Sequence, residues 1–178
     1  NTANIASSTI CDMAAGTGES NRVGRQIYVK KIFLKGIACI QPANNVKISF
    51  NSHFRIILYV DHQANGATAN GLQILENDAV TSFRNLENSL RFTILSDKIY
   101  EFNNPNPYWN NTSGTLEGTS DETYFTISHM FKKPLKISYA DVTAGISNIK
   151  TNNIGIACIS TLNTGVTISY HTRIRFHD

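Results

Sequence analysis

FRIILYVDHQANG, residues Phe54 to Gly66, is the clearest strand-and-turn unit in this chain. Its alternate residues fall on opposite faces of a strand, because side chains in a pleated strand alternate with a period of two. Both faces are apolar, so we predict a strand with neighbours on each side. It ends where Asp61 and His62 lead into Asn65-Gly66, a pair that favours a turn since both residues tolerate positive φ.

The rest of the composition is also typical of β-structure. The 178 residues include nine Phe and seven Tyr, and 41% of the chain is hydrophobic. Aromatic and β-branched residues favour strands, and no long segment keeps a helical period. A chain of this length buries one core and is too short to suggest a second domain. We therefore expect one all-β domain.

Two further long strands can be read from the alternation. The first, Arg22 to Ile40, changes phase at Lys30-Lys31, and a bulge there would restore one continuous apolar face. The last, Val166 to His177, alternates cleanly, so that one face is core and the other is polar and basic. Shorter strands are predicted at 46–50 and in the runs TYFTISHMF and LKISY, which Lys132-Lys133-Pro134 separates, because proline removes a ladder donor and marks a bend or an edge. Short helices could sit in LQILEN and SFRNLENSL, after the strand that begins at Phe54.

The strands are separated by loops of uneven length, and double-sheet sandwiches tolerate such excursions better than meanders do. We predict an eight-stranded antiparallel jelly-roll sandwich with long surface loops, formed by residues 22–178 and preceded by an N-terminal arm, residues 1–21. An immunoglobulin-like sandwich is the second choice, because the chain lacks the Cys…Trp…Cys arrangement. The longest loop, 103–121, carries Tyr108 and Trp109, which we assign to an interface or exposed surface loop.

Motifs for catalysis are absent from the sequence. It contains no GxSxG, and its five histidines show no HxH or HxxxH spacing, so we expect neither an enzyme nor a metal centre. Asp61 and Asp97 are each predicted to close a strand. They could cap turns, or they could bind calcium at a subunit contact.

Cys11, Cys39 and Cys158 are far apart and lie in apolar surroundings. We interpret them as buried thiols in preference to disulfide or metal ligands, which indicates assembly in a reducing compartment. No run approaches the length of a membrane span, and no signal peptide is evident. The chain begins at Asn1 without Met, so we expect that an upstream segment has been cleaved or omitted.

Basic residues are the most informative polar group. The net charge is only +3, but seven cations lie on or before the first long strand and on the last one: Arg22, Arg25, Lys30, Lys31, Lys35, Arg173 and Arg175. If those strands are neighbours, the seven form one cationic stripe, which is either an ordinary solvated face or a phosphate-binding surface. Cations on a flat sheet contact backbone charge and not base edges, so such binding would be non-specific. Tyr108 and Trp109 could stack on bases or anchor an interface.

Several runs, in chain order, resemble capsid proteins of circovirus-like, circular Rep-encoding single-stranded DNA viruses. They are NRVGRQIYVKKIFLKGI, FRIILYVDHQANG, RNLENSLRFTILSDK, GIACISTL and VTISYHTRIRFHD, and the likeness spans residues 21–178. Small jelly-roll coats of plant satellite viruses are similar. The resemblance implies a virion protein whose copies, about sixty in a T=1 icosahedral shell, enclose a circular single-stranded genome, which we expect to be DNA.

Capsid proteins of this kind carry an Arg- and Lys-rich N-terminal arm that enters the particle and serves in nuclear targeting. Here the first basic residue is Arg22, so we expect such an arm to lie upstream of Asn1 or to be lacking. Three hypotheses follow. The first is a self-assembling capsid protein that assembles in the host nucleus or cytoplasm. It would contact its genome through basic residues and would also bind a host receptor of unknown identity. The second is a lectin-like or cytokine-like binding module. The third is a cupin-type enzyme, disfavoured because no histidine cluster is present.

Overall fold

The computed structural model describes residues 6–40, 52–102, 108–110, 115–117, 122–161 and 166–178, without the side chains of 40, 108–110 and 115–117. Within these residues the strands are β1 (Ala6–Thr9), β2 (Gln26–Ile40), β3 (His53–Asp61), β4 (Phe92–Glu101), β5 (Tyr108–Asn110), β6 (Thr115–Glu117), β7 (Glu122–Tyr139), β8 (Ile149–Thr151), β9 (Asn153–Ser160) and β10 (Val166–His177). One short α-helix, α1 (Gly71–Ile74), and two 3-10 turns, Leu86–Asn88 and Ile146–Asn148, complete the described elements.

Eight of these strands form two antiparallel four-stranded sheets. Sheet I has the order β1-β9-β3-β4 and sheet II has the order β10-β2-β7-β8. β5 and β6 form a separate two-stranded hairpin. The predicted all-β, eight-stranded antiparallel sandwich is therefore confirmed.

The pairing of distant strands follows the nesting expected of a jelly roll. β2 pairs with β10 in sheet II, and β3 pairs with β9 in sheet I, so the two pairs nested by sequence lie in opposite sheets. The next strands do not continue this alternation, because β4 stays beside β3 and β8 stays beside β7. Each sheet thus combines long-range pairs with one pair of strands that follow each other in the chain, β3–β4 in sheet I and β7–β8 in sheet II.

The main core lies between the two sheets. Phe54, Ile56, Leu58 and Val60 of β3 point into it and are 0–1% exposed, and β3 lies between β9 and β4 as predicted. Opposite them, the inward residues of β10 are only half-buried, since β10 is the edge strand of sheet II. The alternation of β10 into a core face and a polar face is confirmed.

A bulge interrupts β2 at the double lysine, as predicted. Val29 pairs with Phe176 and Lys31 pairs with Arg175, so Lys30 is one residue in excess of β10. Val29 and Ile32, which flank the two lysines, are both 0% exposed. The extra residue therefore keeps one apolar face continuous across the phase change.

A second, smaller core lies on the opposite side of sheet I, which the sequence did not predict. Residues 62–91, called here the cover segment, pack Ile74, Leu75 and Val80 against Ile57 and Tyr59 of β3. Asn70 caps α1 by accepting a hydrogen bond from Leu72 N. The Oε1 of Gln73 accepts a hydrogen bond from Asn70 N in return. The cover segment is thus a compact, self-bonded layer, and the two apolar faces of β3 are each explained by a core.

One further expectation was partly wrong. The runs TYFTISHMF and LKISY belong to one strand, β7, in which residues 131–134 form an excursion opposite Lys30. Pro134 therefore marks an irregularity inside a strand and does not separate two strands. A strand predicted at 46–50 lies outside the described residues. The division of the chain at residue 21 stays a prediction, although β1 pairs with β9 and Cys11 lies in the main core.

Candidate nucleic-acid interface

The pairing of β2 with β10 brings the basic residues of both strands onto one surface. Lys31 lies opposite Arg175, Phe33 opposite Arg173, and Lys35 opposite His171. Their neighbours Ile32 and Leu34 are buried, so these side chains point away from the main core. We call this surface the basic face and define it by Lys31, Lys35, Arg173 and Arg175.

An aromatic ring lies among these cations. The Nζ of Lys31 is 4.2 Å from the centroid of the Phe33 ring, and the Cζ of Arg175 is 5.9 Å from the same centroid. Further along the sheet, the rings of Tyr28 and His177 stack with centroids 5.2 Å apart. The face therefore alternates positive charge with flat rings, a combination that suits both phosphates and bases.

The cations of the basic face have no carboxylate partner in the part of the chain that the structure describes. The three salt bridges found there join Arg55 and Arg84 to Asp97 and Arg91 to Asp61, all on the sheet I side. Lys35, Arg173 and Arg175 are exposed. Their charge is thus available to an external anion.

Two more of the predicted cations lie near this face. Lys30 occupies the bulge and is exposed, next to Lys31. Arg25 is exposed just before β2, where its carbonyl oxygen accepts a hydrogen bond from Tyr139 N. Lys30 extends the basic face beyond the Lys31–Arg175 pair, and Arg25 lies further along in the same direction.

Arg22 does not belong to the basic face, and its assignment as a nucleic-acid contact is corrected. Arg22 is 0% exposed, and its guanidinium donates hydrogen bonds to the carbonyl oxygens of Met13, Gly24 and Asp141. The Cζ also lies 4.1 Å from the centroid of the Tyr139 ring. Arg22 therefore joins three segments of backbone inside the fold, out of reach of a phosphate.

Tyr108 and Trp109 are separate from the basic face in the chain. Both belong to β5, where Tyr108 pairs with Glu117 and Trp109 with Leu116 of β6. Their side chains lie outside the described part of the structure. Their assignment to an interface loop stays a prediction.

Asp61 and Asp97 each form a salt bridge with an arginine. Asp61 ends β3 and accepts from Gln63 N, so its predicted turn cap is confirmed, and it also accepts twice from Arg91. Asp97 lies inside β4 and ends no strand, contrary to expectation. It accepts from Arg55 Nε and Nη2, and these contacts hold the pKa of that carboxyl below its ordinary value. No group of three metal-ligating side chains occurs among the described residues.

The three cysteines are free thiols. Burial raises the pKa of Cys11 to about 11 and that of Cys158 to about 12, so neither is a ready nucleophile. Cys39, which lies opposite Thr167 of β10, is half-buried. No described helix is long and apolar enough to cross a membrane.

Phe33, Tyr28 and His177 were missed by the search for site residues. A signal was present, because Phe33 and Tyr28 share a strand with Lys31 and Lys35 while Ile32 and Leu34 carry the buried period. An aromatic residue in phase with cations and out of phase with the core is a candidate for an exposed ring. The bulge at Lys30 has to be assigned before this signal can be recognised, because the bulge determines which residues of β2 point away from the core.

Comparison with known proteins adds no relative. A scan of the chain against protein-family models finds no match, and a search of curated proteins finds none.

Proposed function

We propose that this chain is a viral capsid protein of the circovirus-like type, whose copies assemble into a small icosahedral shell and enclose a single-stranded genome. The basic face would line the interior of that shell and contact the genome. The protein is then structural and not an enzyme, with itself and the genome as its partners. DNA is the expected genome, since the resemblance in sequence is to single-stranded DNA viruses.

The observation that carries the nucleic-acid part is the unpaired charge of the basic face. Lys31, Lys35, Arg173 and Arg175 project from two adjacent strands, and no described carboxylate neutralises them. A flat sheet inserts no helix or ribbon into a groove, so contacts go to phosphates and carry little sequence information. The Phe33 ring, close to both Lys31 and Arg175, adds a surface on which an unpaired base can stack.

The test of this part replaces Arg173 and Arg175 by Gln and measures binding to a single-stranded oligonucleotide at several salt concentrations. Each phosphate contact contributes a salt slope of about −0.7 for single strands, so the slope should fall by about 1.4. A matched control replaces Arg84 and Lys98, which are exposed on the sheet I side, and changes the net charge equally. If the salt slope falls equally in both variants, or in neither, the basic face is not the binding surface.

The test of assembly is the mass of the purified protein. Light scattering after size exclusion, with electron microscopy of the same fractions, should find closed particles of megadalton mass. A monomer or trimer that persists in every buffer would reject the shell. It would favour the lectin-like or cytokine-like module, in which the β5–β6 hairpin with Tyr108 and Trp109 is the binding loop.

A further inference from the structure

The outer face of sheet II is divided along its length, with polar side chains on β10 and rings on β2. Between positions 169 and 177 the outward side chains of β10 are all exposed, and we call these five residues the edge row: Ser169, His171, Arg173, Arg175 and His177. The outward residues of the neighbouring β2 alternate between apolar and cationic side chains, in the order Ile37, Lys35, Phe33, Lys31 and, beyond the bulge, Tyr28. Groups that bind phosphate thus lie along the edge of the sheet, and rings lie one strand further in.

The edge row has the spacing of phosphates in an extended single strand. Arg173 and Arg175 are two residues apart, which is about 7 Å along a β-strand. A stacked strand of nucleic acid rises only about 3.4 Å per phosphate, whereas an unstacked strand can extend to about twice that rise. Successive phosphates of an extended strand can therefore meet successive residues of the edge row, and those of a stacked strand fall out of step with it.

The surface beside the edge row has room for a base. Two hollows, of about 580 and 340 Å³, lie on either side of the line that His171, Lys35 and Thr126 form across the sheet. The larger hollow is lined by Phe33 and Arg173, which lie opposite each other on β2 and β10. A base in this hollow can lie over the Phe33 ring while its phosphate reaches Arg173.

We propose that an extended single strand of nucleic acid binds along β10, with its phosphates on Arg173 and Arg175 and one of its bases stacked on Phe33. This inference rests on the proposed function, because it states how the basic face holds the genome. The stacked rings of Tyr28 and His177 form a second base position about 15 Å from Phe33, or about two phosphate intervals. A duplex keeps its bases paired and stacked inside, so it offers phosphates to the edge row but no base to either position.

The test removes the ring and the base separately. Binding of the nuclease-treated chain is measured to a single-stranded oligonucleotide, to its duplex, and to an abasic strand in which tetrahydrofuran replaces each nucleoside. Phe33→Leu should weaken binding of the oligonucleotide at least about fivefold, since stacking of one base contributes that factor or more. Binding of the abasic strand and of the duplex should change by less than about twofold, because neither offers a free base. The salt slope should stay constant, because no charge is removed.

Two variants control for the loss of the ring. Phe83→Leu makes the same change in the cover segment, where Phe83 is 79% exposed, and should leave all three affinities within about twofold of the wild type. Phe33→Tyr keeps a ring at the site and should bind the oligonucleotide within about twofold of the wild type. A Tyr variant as weak as the Leu variant overturns stacking at this position.

An added cation tests the direction of the strand. Ser169 and Ser128 are both exposed on the outer face of sheet II, the first in the edge row and the second on β7 opposite Phe33. Ser169→Arg should add one phosphate contact and steepen the salt slope by about 0.7, whereas Ser128→Arg should steepen it by less than half as much. Equal steepening in the two variants overturns the path along β10.

The results separate this inference from the proposed function. If Phe33→Leu weakens binding of the oligonucleotide, the abasic strand and the duplex equally, or weakens none of them, base stacking is overturned. The basic face still stands in that case if Arg173→Gln with Arg175→Gln lowers the salt slope. A wild-type chain that binds none of the three ligands overturns both proposals.

Discussion

Arg55 of β3 and Asp97 of β4 bind each other through two hydrogen bonds, Nε to Oδ1 and Nη2 to Oδ2, each 2.7 Å long. The remaining nitrogen, Nη1, donates to the carbonyl oxygens of Val80 and Ser82 in the cover segment. The Arg55 side chain is only 8% exposed. One guanidinium thus joins two strands of sheet I to the layer that covers them.

Asp97→Ala should destabilise the fold strongly, because it leaves the buried Arg55 charge without a counterion. Loss of one partner of a buried pair costs about 3–5 kcal/mol. Arg84→Ala is the control: Arg84 meets the same carboxylate at 3.5 Å but is 52% exposed, so its loss should cost less than about 1 kcal/mol. Urea unfolding measures both. Equal losses in the two variants would mean that the Arg55–Asp97 pair does not hold the cover segment.

The same pair predicts how stability depends on pH. The hydrogen bond from Arg55 holds the pKa of Asp97 below its ordinary value of 3.8. A lowered folded-state pKa adds stability that is complete above about pH 4 and is lost as the pH falls through the folded pKa. The difference in unfolding free energy between the wild type and Asp97→Asn should therefore narrow below about pH 4. A constant difference from about pH 2 to pH 6 would contradict this linkage.

Gly155 of β9 makes room for the ring of Tyr59. A Cβ at position 155 would lie 2.4 Å from both Cζ and the hydroxyl oxygen of Tyr59. Gly155→Ala should cost about 1–3 kcal/mol by overpacking, and Tyr59→Leu in the same chain should recover part of that loss. Gly24→Ala, where the nearest atom is 3.9 Å away, is the control and should stay within about 0.5 kcal/mol of the wild type. An equal effect at positions 24 and 155 would argue against the clash.

Patterns of alternation within short stretches of sequence explain which parts of the fold could be predicted. The two-sided apolar character of β3, the alternation of β10 and the bulge at Lys30 all depend on residues near one another in the chain. The basic face required one long-range step, the adjacency of β2 and β10, which the expected jelly roll supplied.

The parts that sequence did not predict depend on contacts between distant segments. Ile74, Leu75 and Val80 have no regular spacing, so nothing in the cover segment indicated a second core. The Arg55–Asp97 pair follows from the register of β3 on β4, in which Asp97 lies opposite Ile57. Arginine is usually exposed, and the burial of Arg22 depends on carbonyl oxygens as far away as Asp141.

Arg22 and Arg175 should therefore respond in opposite ways to the same substitution. Arg22→Met removes a fully buried guanidinium and leaves three carbonyl acceptors without their donor, so it should cost about 3 kcal/mol or more. Arg175→Met should change stability by less than about 0.5 kcal/mol but weaken binding to single-stranded oligonucleotides. Urea unfolding and a salt titration of binding measure the two effects. A stable Arg22→Met chain with weakened binding would return Arg22 to the interface.

Thiol labelling should separate the three cysteines. Cys11 is 0% exposed, and its pKa of about 11 leaves about one thiolate in a thousand at pH 8, roughly a hundredth of the fraction for an ordinary thiol. Burial also raises the pKa of Cys158, to about 12, so it should react slowly as well. Cys39 lies on the outer face of sheet II, so it should be the first cysteine to be labelled under native conditions. Cys11 and Cys158 should be labelled only when the protein unfolds. Mass spectrometry of peptides after timed labelling, with Cys39→Ser as the control, measures the order. Rapid native labelling of Cys11 would contradict its place in the main core.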